Sequence, residues 1–145
     1  MCRRGLRTFL AGNSAEVSAT TDLDTLSDFF DRYGAALTAG DLSGIAGCYA
    51  LPGMVVSGSY SFTFTSPTAV ALSFLGAAHS YLEAELVAAH AQIRDVQRLS
   101  PALSMVAVDW EFLDSHGGAV PGQSFRYLLR LTAHGPEICT VISTG

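Results

Sequence analysis

The stretch DRYGAALTAGDLSGIAGCYA, residues 31–50, decides the fold of this chain. It begins with good helix formers, but several glycines dilute it and Gly40-Asp41 interrupts its middle. Glycine tolerates the positive φ that often ends a helix, and aspartate is a favoured N-cap because its carboxylate accepts backbone N–H groups of the next helix. We therefore expect two helices with a corner at Gly40-Asp41, not one damaged helix.

Apolar residues upstream of this corner recur at steps of three and four, which places them on one face of a helix. This helix is expected to start near Asp22 and to end at Gly40. Its buried face is formed by Leu26, Phe29, Phe30, Tyr33 and Leu37. After the corner, a short helix is expected from Leu42 to about Tyr49, ended by residues 51–53.

A third helix is expected from Ser66-Pro67 to about Leu86, because serine caps a helix and proline fits its first position. Its buried stripe is formed by Val70, Ala71, Phe74, Leu75, Ala78 and Leu82. The remaining segments are typical of strands and are separated by turn residues. They span residues 54–57, 59–66, 91–99, 103–113, 123–132 and 137–143. Because helices and strands are segregated, the sequence predicts an α+β fold with helices on one face of an antiparallel sheet.

The hairpin of strands 103–113 and 123–132 is registered by placing Trp110 opposite Tyr127, with Phe112 opposite Phe125. The inner face is then apolar or aromatic throughout, and a one-residue slip would put charges among the aromatic rings. The outer face then carries Asp109, Glu111, Arg126 and Arg130. The two carboxylates are therefore expected to point away from the inner face and to have arginine partners.

Composition narrows the possible partners. The net charge is −5 and all eight basic residues are arginine, so the chain does not favour nucleic acid, whose phosphates are bound by basic side chains. Only 14% of residues are charged, where roughly 25% is usual in soluble domains. Two explanations fit this value: a homodimer that covers the outer sheet face, or an apolar cavity that takes a hydrophobic small molecule.

Cysteine spacing and apolar runs indicate the compartment. Cys2, Cys48 and Cys139 lie far apart and form no C-x-x-C pair, which is typical of reduced thiols and predicts a cytoplasmic protein. Neither a metal nor an organic cofactor is expected, because metal-ligand spacing and a phosphate-binding glycine loop are missing. No run approaches the ~20 apolar residues of a membrane helix. Residues 1–21 are expected to be a flexible extension and residues 22–145 a single domain.

The order of elements resembles that of the nuclear transport factor 2-like (NTF2-like), or SnoaL-like, superfamily. The resemblance covers roughly residues 22–143 and is carried by RYGAALTAGDLSGIAGCYA (32–50) and SFRYLLRLTAHG (124–135). The R-Y-x₆-G-D spacing is similar to that of ketosteroid isomerases in this superfamily. The resemblance implies a cone-shaped fold in which a strongly curved mixed or antiparallel sheet wraps a pocket, with about three N-terminal helices on its concave face, usually in a homodimer.

The resemblance also implies roles for individual residues. Tyr33 matches a helix tyrosine that donates a hydrogen bond to a developing oxyanion, and Tyr127 lies near the position of a second donor. The catalytic aspartate of the isomerases falls at about Ser57, and serine cannot act as that base. His79, beside the stripe of the third helix, is a candidate for proton transfer. Substrate-binding residues are expected to be Phe30, Phe74, Trp110, Phe112, Phe125 and Ser57.

Two functional hypotheses follow. One is an isomerase or polyketide-cyclase-type enzyme, with lyase or hydrolase chemistry also open, acting on a hydrophobic carbonyl compound. The alternative is a non-catalytic domain of the same fold that binds a small molecule or forms a dimer. The missing base at Ser57 favours the domain that binds a small molecule without changing it.

Overall fold

The computed structural model describes the backbone of residues 4–144 and the side chains of residues 22–144. Within these residues the elements follow in the order α1 (Arg4–Ala39), α2 (Leu42–Ala46), β1 (Tyr49–Val56), β2 (Ser61–Phe64), α3 (Pro67–Ser73), α4 (Leu75–Glu83), β3 (Leu86–Arg98), β4 (Leu103–Asp114), β5 (Ala119–Thr132) and β6 (Gly135–Ser143). The first helix, predicted to start near Asp22, starts at Arg4 instead. The division into an extension over residues 1–21 and a domain over residues 22–145 stays a prediction.

The six strands form one sheet in the order β2-β1-β6-β5-β4-β3. Neighbouring strands are antiparallel except for β1 and β6, which run parallel. The α+β prediction is confirmed. The sheet is mixed because β6 comes back beside β1 and runs parallel to it.

The corner at Gly40-Asp41 has the predicted chemistry. Gly40 has a φ of +68°, in the left-handed region that glycine adopts at little cost. The Asp41 carboxylate accepts the backbone N–H of Gly44 at 3.0 Å and caps α2. The corner therefore ends α1 and starts α2 within two residues.

The second helix is shorter than predicted. It ends at Ala46, and Tyr49 is already the first residue of β1, paired with Ile138 of β6. Residues 51–53 do not end a helix; they lie inside β1, where the pairing with β6 shifts register. Proline lacks the N–H that a regular ladder needs, so it is accommodated in this irregular part of the strand.

The third helix is two helices. It begins as predicted, because the Ser66 hydroxyl accepts the N–H of Ala69 at 3.1 Å, but it breaks at Phe74, whose backbone is not helical. The predicted buried stripe is wrong beyond this break. Leu75 and Leu82 are 49% and 76% exposed, because α4 lies along the rim of the fold and buries none of its residues.

The hairpin of β4 and β5 keeps the predicted faces but not the predicted pairs. Tyr127 pairs with Val106 instead of Trp110, a shift of four residues. A tight turn after Asp114 lets β5 begin at Ala119, four residues earlier than predicted. An even shift leaves every side chain on its original face, so the aromatic inner face is confirmed.

The predicted partners of the outer carboxylates are wrong for the same reason. Asp109 accepts hydrogen bonds from Arg94 of β3 at 2.6 Å and from Ser124 at 2.7 Å, not from the arginines of β5. The bond to Ser124 and then the bond to Arg94 lower the pKa of Asp109. Glu111 is exposed.

The core lies between α1 and the inner face of the sheet. The predicted face of α1 is confirmed, since its five apolar side chains are each at most 5% exposed: Leu26, Phe29, Phe30, Tyr33 and Leu37. They pack against buried residues of β4, β5 and β6. Among the described residues, no helix is both long enough and apolar enough to cross a membrane.

Candidate functional site

A cavity of about 580 Å³ opens between the inner face of the sheet and helices α1, α3 and α4. Its deep wall is aromatic and almost fully buried, and is formed by Tyr33, Tyr49, Phe64, Trp110, Phe112 and Tyr127. The break at Phe74 contributes to this shape, because the Phe74 ring and residues of the separate helix α4 also line the cavity. The volume lies within the ~300–1,000 Å³ typical of small-molecule sites.

The mouth of the cavity is more polar than its depth. Ser80 and Tyr81 of α4 and Gln123 of β5 line it beside the partly exposed ring of Phe62. These groups can contact polar parts of a ligand that extend toward solvent. The deep wall and the mouth therefore present different chemistry.

Two buried tyrosines share a hydrogen bond at the deep end. The hydroxyl oxygens of Tyr33, on α1, and Tyr49, at the start of β1, lie 2.7 Å apart. The corner at Gly40-Asp41 makes this possible, because it turns the chain so that β1 starts beside α1. A hydroxyl has one proton to donate, so one tyrosine of the pair donates to the other and the second keeps a proton for another acceptor.

A second hydrogen bond fixes Tyr127. The Trp110 indole N–H donates to the Tyr127 hydroxyl oxygen at 2.9 Å. Among the described residues this is the only hydrogen bond of that hydroxyl, so its own proton has no protein acceptor there. The Tyr127 and Tyr33 rings pack edge to face, with centroids 6.2 Å apart. The cavity thus holds two hydroxyl protons without a protein acceptor in the described part of the chain, that of Tyr127 and one from the Tyr33–Tyr49 pair.

These phenols stay neutral at ordinary pH. Burial, followed by the neighbouring phenols, raises the pKa of Tyr33 well above its usual value. Burial also raises the pKa values of Tyr49 and Tyr127, while a hydrogen bond opposes the rise in each case. Burial alone raises the pKa of half-buried Tyr81. At pH 7 all four therefore act as hydroxyl donors and not as phenolate bases.

The described residues that line the cavity include no Asp, Glu, His, Cys or Arg. Nor does any group of three or more His, Cys, Asp and Glu side chains in the described part of the chain have the geometry of a metal site. What the cavity offers chemically is apolar contact, aromatic faces and neutral hydrogen-bond donors.

The structure brings most of the predicted site residues together. Tyr33, Phe74, Trp110, Phe112, Phe125 and Tyr127 all line the cavity. Phe30 does not line it. Its ring lies behind the wall, with centroids 5.1 Å from Tyr127 and 6.3 Å from Trp110, so it supports two lining residues and is placed too deep for a ligand to touch.

Two predicted residues lie elsewhere. His79 is on the outer side of α4, where its imidazole is 71% exposed and lies 3.1 Å from Glu83; the break at Phe74 removes it from the helical stripe that suggested a cavity position. Ser57 is in the turn between β1 and β2, and its hydroxyl accepts the N–H groups of Ser59 and Tyr60. Neither side chain lines the cavity.

Sequence reasoning missed Tyr49, Phe62, Phe64, Tyr81 and Gln123 as site residues. The alternation of β2 carried a usable signal, because it placed Phe62 and Phe64 on one face of a half-buried strand. Tyr49 was assigned to a helix, and nothing local indicated that its hydroxyl would reach Tyr33.

A family model described as "NTF2-like protein (DUF6841)" matches residues 23–145. A comparison with curated proteins gave no match. Among solved structures, the chain is similar to an NTF2-like protein with a cystatin-like fold from Novosphingobium aromaticivorans, at 15% identity and a TM-score of 0.64, covering 92% of this chain and 87% of that one. These matches confirm the predicted resemblance and the curled, cone-like α+β fold.

Two further solved structures share the fold. An NTF-2-like protein of unknown function from Shewanella oneidensis is 16% identical, with a TM-score of 0.63, over 85% of this chain and 98% of that one. A ketosteroid isomerase-like protein from Erwinia carotovora atroseptica is 18% identical, with a TM-score of 0.57, over 83% of this chain and 93% of that one. At these identities the likeness establishes the fold alone.

Proposed function

The chain belongs to the NTF2-like family DUF6841, and from that premise we propose that it binds a neutral, largely apolar small molecule that carries a hydrogen-bond-accepting oxygen. One observation carries the proposal: a cavity of about 580 Å³ whose aromatic walls hold phenolic donors without a protein acceptor. A hydroxyl proton buried in an apolar wall gains most from a ligand acceptor, because a buried donor without a partner costs free energy.

The charge of the ligand follows from the same wall. A charged ligand would lose its hydration on entering the cavity, and no opposite charge among the described lining residues would compensate it. That loss is large in an apolar environment. A ketone, quinone, ester or ether on a ring system fits the wall best.

The test is calorimetric titration with 9-fluorenone, a neutral three-ring ketone, because binding to a preformed apolar pocket is frequently driven by enthalpy. We expect measurable binding to the wild-type protein. Ala77→Phe, which fills the cavity from α4, should weaken it by about tenfold or more, a change of ~1.4 kcal/mol. The matched control is Leu82→Phe, on the same helix but outside the cavity and 76% exposed. No heat with wild type, or equal losses in both variants, would contradict the proposal.

A second candidate is an isomerase or polyketide-cyclase-type reaction on a hydrophobic carbonyl compound. The specific observation that favours it is that the Tyr127 ring packs against Tyr33 in a water-poor wall, so that the Tyr127 proton and the free proton of the Tyr33–Tyr49 pair are two neutral donors near each other. Donors placed in this way stabilise negative charge that develops on a carbonyl oxygen. Since the described lining residues include no carboxylate or imidazole, the proton in this candidate exchanges with water.

A partner proposal concerns the outer face of the sheet. We propose that two copies of the chain pair through this face. Glu111 and Arg126 are both exposed on it, and neither forms an ion pair with another described residue. A two-fold arrangement can bring each against its opposite on the other copy. The cytoplasmic location stays a prediction, supported by the unpaired thiols of Cys48 and Cys139.

A further inference from the structure

We propose that Trp110 is a positioning residue that commits the Tyr127 hydroxyl to donating toward the ligand, so that the cavity selects an accepting oxygen over a ligand hydroxyl or amine proton. This proposal rests on the proposed binding function and adds the residue that sets its specificity. Trp110 acts through Tyr127 and not by a hydrogen bond of its own to the ligand.

The argument starts at the Tyr127 oxygen. It receives the indole N–H at 2.9 Å, and among the described residues its own proton has no acceptor. Because the oxygen already accepts one hydrogen bond, the capacity that remains is first of all that of a donor. Hydrogen bonds in a chain also polarise one another, so the bond from the indole strengthens donation by the hydroxyl.

Two glycines allow backbone to approach the Trp110 side chain closely. A Cβ at Gly122 of β5 would lie 2.9 Å from the Trp110 Cβ and 2.6 Å from the Phe112 ring. A Cβ at Gly34 of α1 would lie 3.1 Å from the Trp110 ring and 3.2 Å from the carbonyl oxygen of Ala89. The Trp110 side chain therefore packs closely against backbone at both ends, its ring against α1 at Gly34 and its Cβ against β5 at Gly122.

Aromatic contacts restrict the remaining freedom of the indole. The Phe112 ring stacks with it at an interplanar angle of 15°, and the Phe30 ring meets it edge to face at 74°. Phe30 also packs against Tyr127, with centroids 5.1 Å apart. Both partners of the indole–phenol hydrogen bond thus rest on one buried ring, which fixes their relative position.

This arrangement discriminates between ligands of the same shape. The carbonyl of 9-fluorenone accepts the Tyr127 proton and brings no proton of its own. Carbazole has the same three fused rings but offers an N–H donor in place of the carbonyl, and in the deep wall the Tyr127 oxygen that could accept this proton is already occupied by the indole. A buried donor that loses its acceptor is costly, so the ketone is expected to bind better than the amine.

The experiment measures dissociation constants of 9-fluorenone and carbazole by equilibrium dialysis. In the wild-type protein we expect the ketone to bind tighter by about fivefold or more, since one ordinary hydrogen bond gives a ratio of about five. Trp110→Phe keeps an aromatic ring but removes the indole N–H, which frees the Tyr127 oxygen to accept the carbazole N–H. We expect the ratio of the two dissociation constants to fall by about fivefold. The control Phe64→Leu alters the wall at a ring that packs against Tyr49 and Phe62 and not against the hydrogen-bonded pair, so it should weaken both ligands by the same factor.

An unchanged ratio in Trp110→Phe would overturn the proposal, since loss of packing alone weakens both ligands equally. A ligand-free measurement separates this failure from failure of the binding function. In ¹⁵N spectra the chain's one indole N–H signal should shift and exchange faster with water in Tyr127→Phe. If neither probe binds but this signal responds, the binding function is wrong while the Trp110 contact stands. If the signal does not respond, the Trp110 proposal is wrong.

Discussion

At the scale of residues, Tyr33 is the side chain whose substitution best distinguishes a binding protein from a catalyst. As a binding group it forms a hydrogen-bonded pair with Tyr49, and the pair has one proton left for a ligand. As a catalytic group it would stabilise charge on a carbonyl oxygen only while that charge exists. A substitution that keeps the ring and removes the hydroxyl therefore affects affinity modestly but a reaction rate strongly.

We predict the effect of Tyr33→Phe on proton exchange next to a carbonyl. If the catalytic candidate is right, the wild-type protein accelerates hydrogen–deuterium exchange of 2-tetralone in D₂O over buffer. Tyr33→Phe should then slow it by on the order of a hundredfold, the usual effect of losing an oxyanion donor. Loss of the ¹H NMR signal of the ketone measures the rate. Tyr60→Phe is the control, because Tyr60 is 57% exposed and does not line the cavity. A wild-type rate equal to that of buffer would remove the catalytic candidate.

The pH profile of this exchange follows from the raised pKa values of the buried tyrosines. Because Tyr33 and Tyr127 stay protonated well above pH 10, the Tyr33-dependent part of the rate should not change between about pH 6 and 9. Above pH 10 the unfolded chain loses phenolic protons that the native state keeps, so the free energy of unfolding should decrease there. A step in the rate near neutral pH would contradict the role of a neutral phenol.

The resemblance indicates cavity positions for Tyr33, Tyr127 and Ser57. Tyr33 and Tyr127 line the cavity, but Ser57 lies in the turn between β1 and β2. A position that depends on a long-range contact was not predictable. Tyr49 follows the corner at a helical spacing, so local periodicity assigned it to the wrong element. Its hydroxyl partner lies sixteen positions earlier, and no local rule reports that distance.

At the scale of elements, the Gly40-Asp41 corner determines where β1 starts and therefore where Tyr49 meets Tyr33. Its chemistry is local: a left-handed glycine followed by a capping carboxylate. This is why it could be predicted from sequence. The register of β4 and β5 could not, because the length of the turn and the bulge near Asp109 depend on contacts across the sheet.

We predict that Gly40→Ala lowers the free energy of unfolding by roughly 1–2 kcal/mol, because an L side chain is disfavoured at a φ of +68°. Steric overlap is not the cause of this loss, since a Cβ at Gly40 would meet its nearest atom only at 4.0 Å. Gly47→Ala is the control. Gly47 has a φ of −65° and ordinary room for a Cβ, so it should be neutral or stabilise by about 0.4–1 kcal/mol. Urea unfolding measures both, and equal losses would contradict the left-handed requirement.

At the scale of the whole molecule, the outer face of the sheet carries an uncharged row across four neighbouring strands, apolar except for one threonine. The register aligns Met105 of β4, Leu128 of β5, Thr140 of β6 and Met54 of β1. Each alternates with a residue of the inner face, so the row lies on the side opposite the cavity. A second copy laid on this row would bury it, which agrees with the low charged fraction of 14%.

We predict that the wild-type protein sediments at about twice its chain mass of 15.3 kDa at micromolar concentration. Leu128→Glu should convert it to the single-chain mass, because it places a charge in the middle of the buried row. Leu82→Glu, on the exposed side of α4, should leave the mass unchanged. A wild-type species at the single-chain mass would contradict the pairing, and the cavity would then account alone for the low charge.

The position of Trp110 has a practical consequence. It is the chain's one tryptophan, and it lies in the wall of the cavity, 5% exposed. When the protein is excited at the long-wavelength edge of its absorption, where tryptophan absorbs and tyrosine does not, its fluorescence comes from Trp110 alone. If the protein binds a small molecule as proposed, entry of the compound into the cavity changes the wavelength or the intensity of that emission. Trp110 fluorescence therefore tests the proposed binding without any label, and natural products can be screened with it.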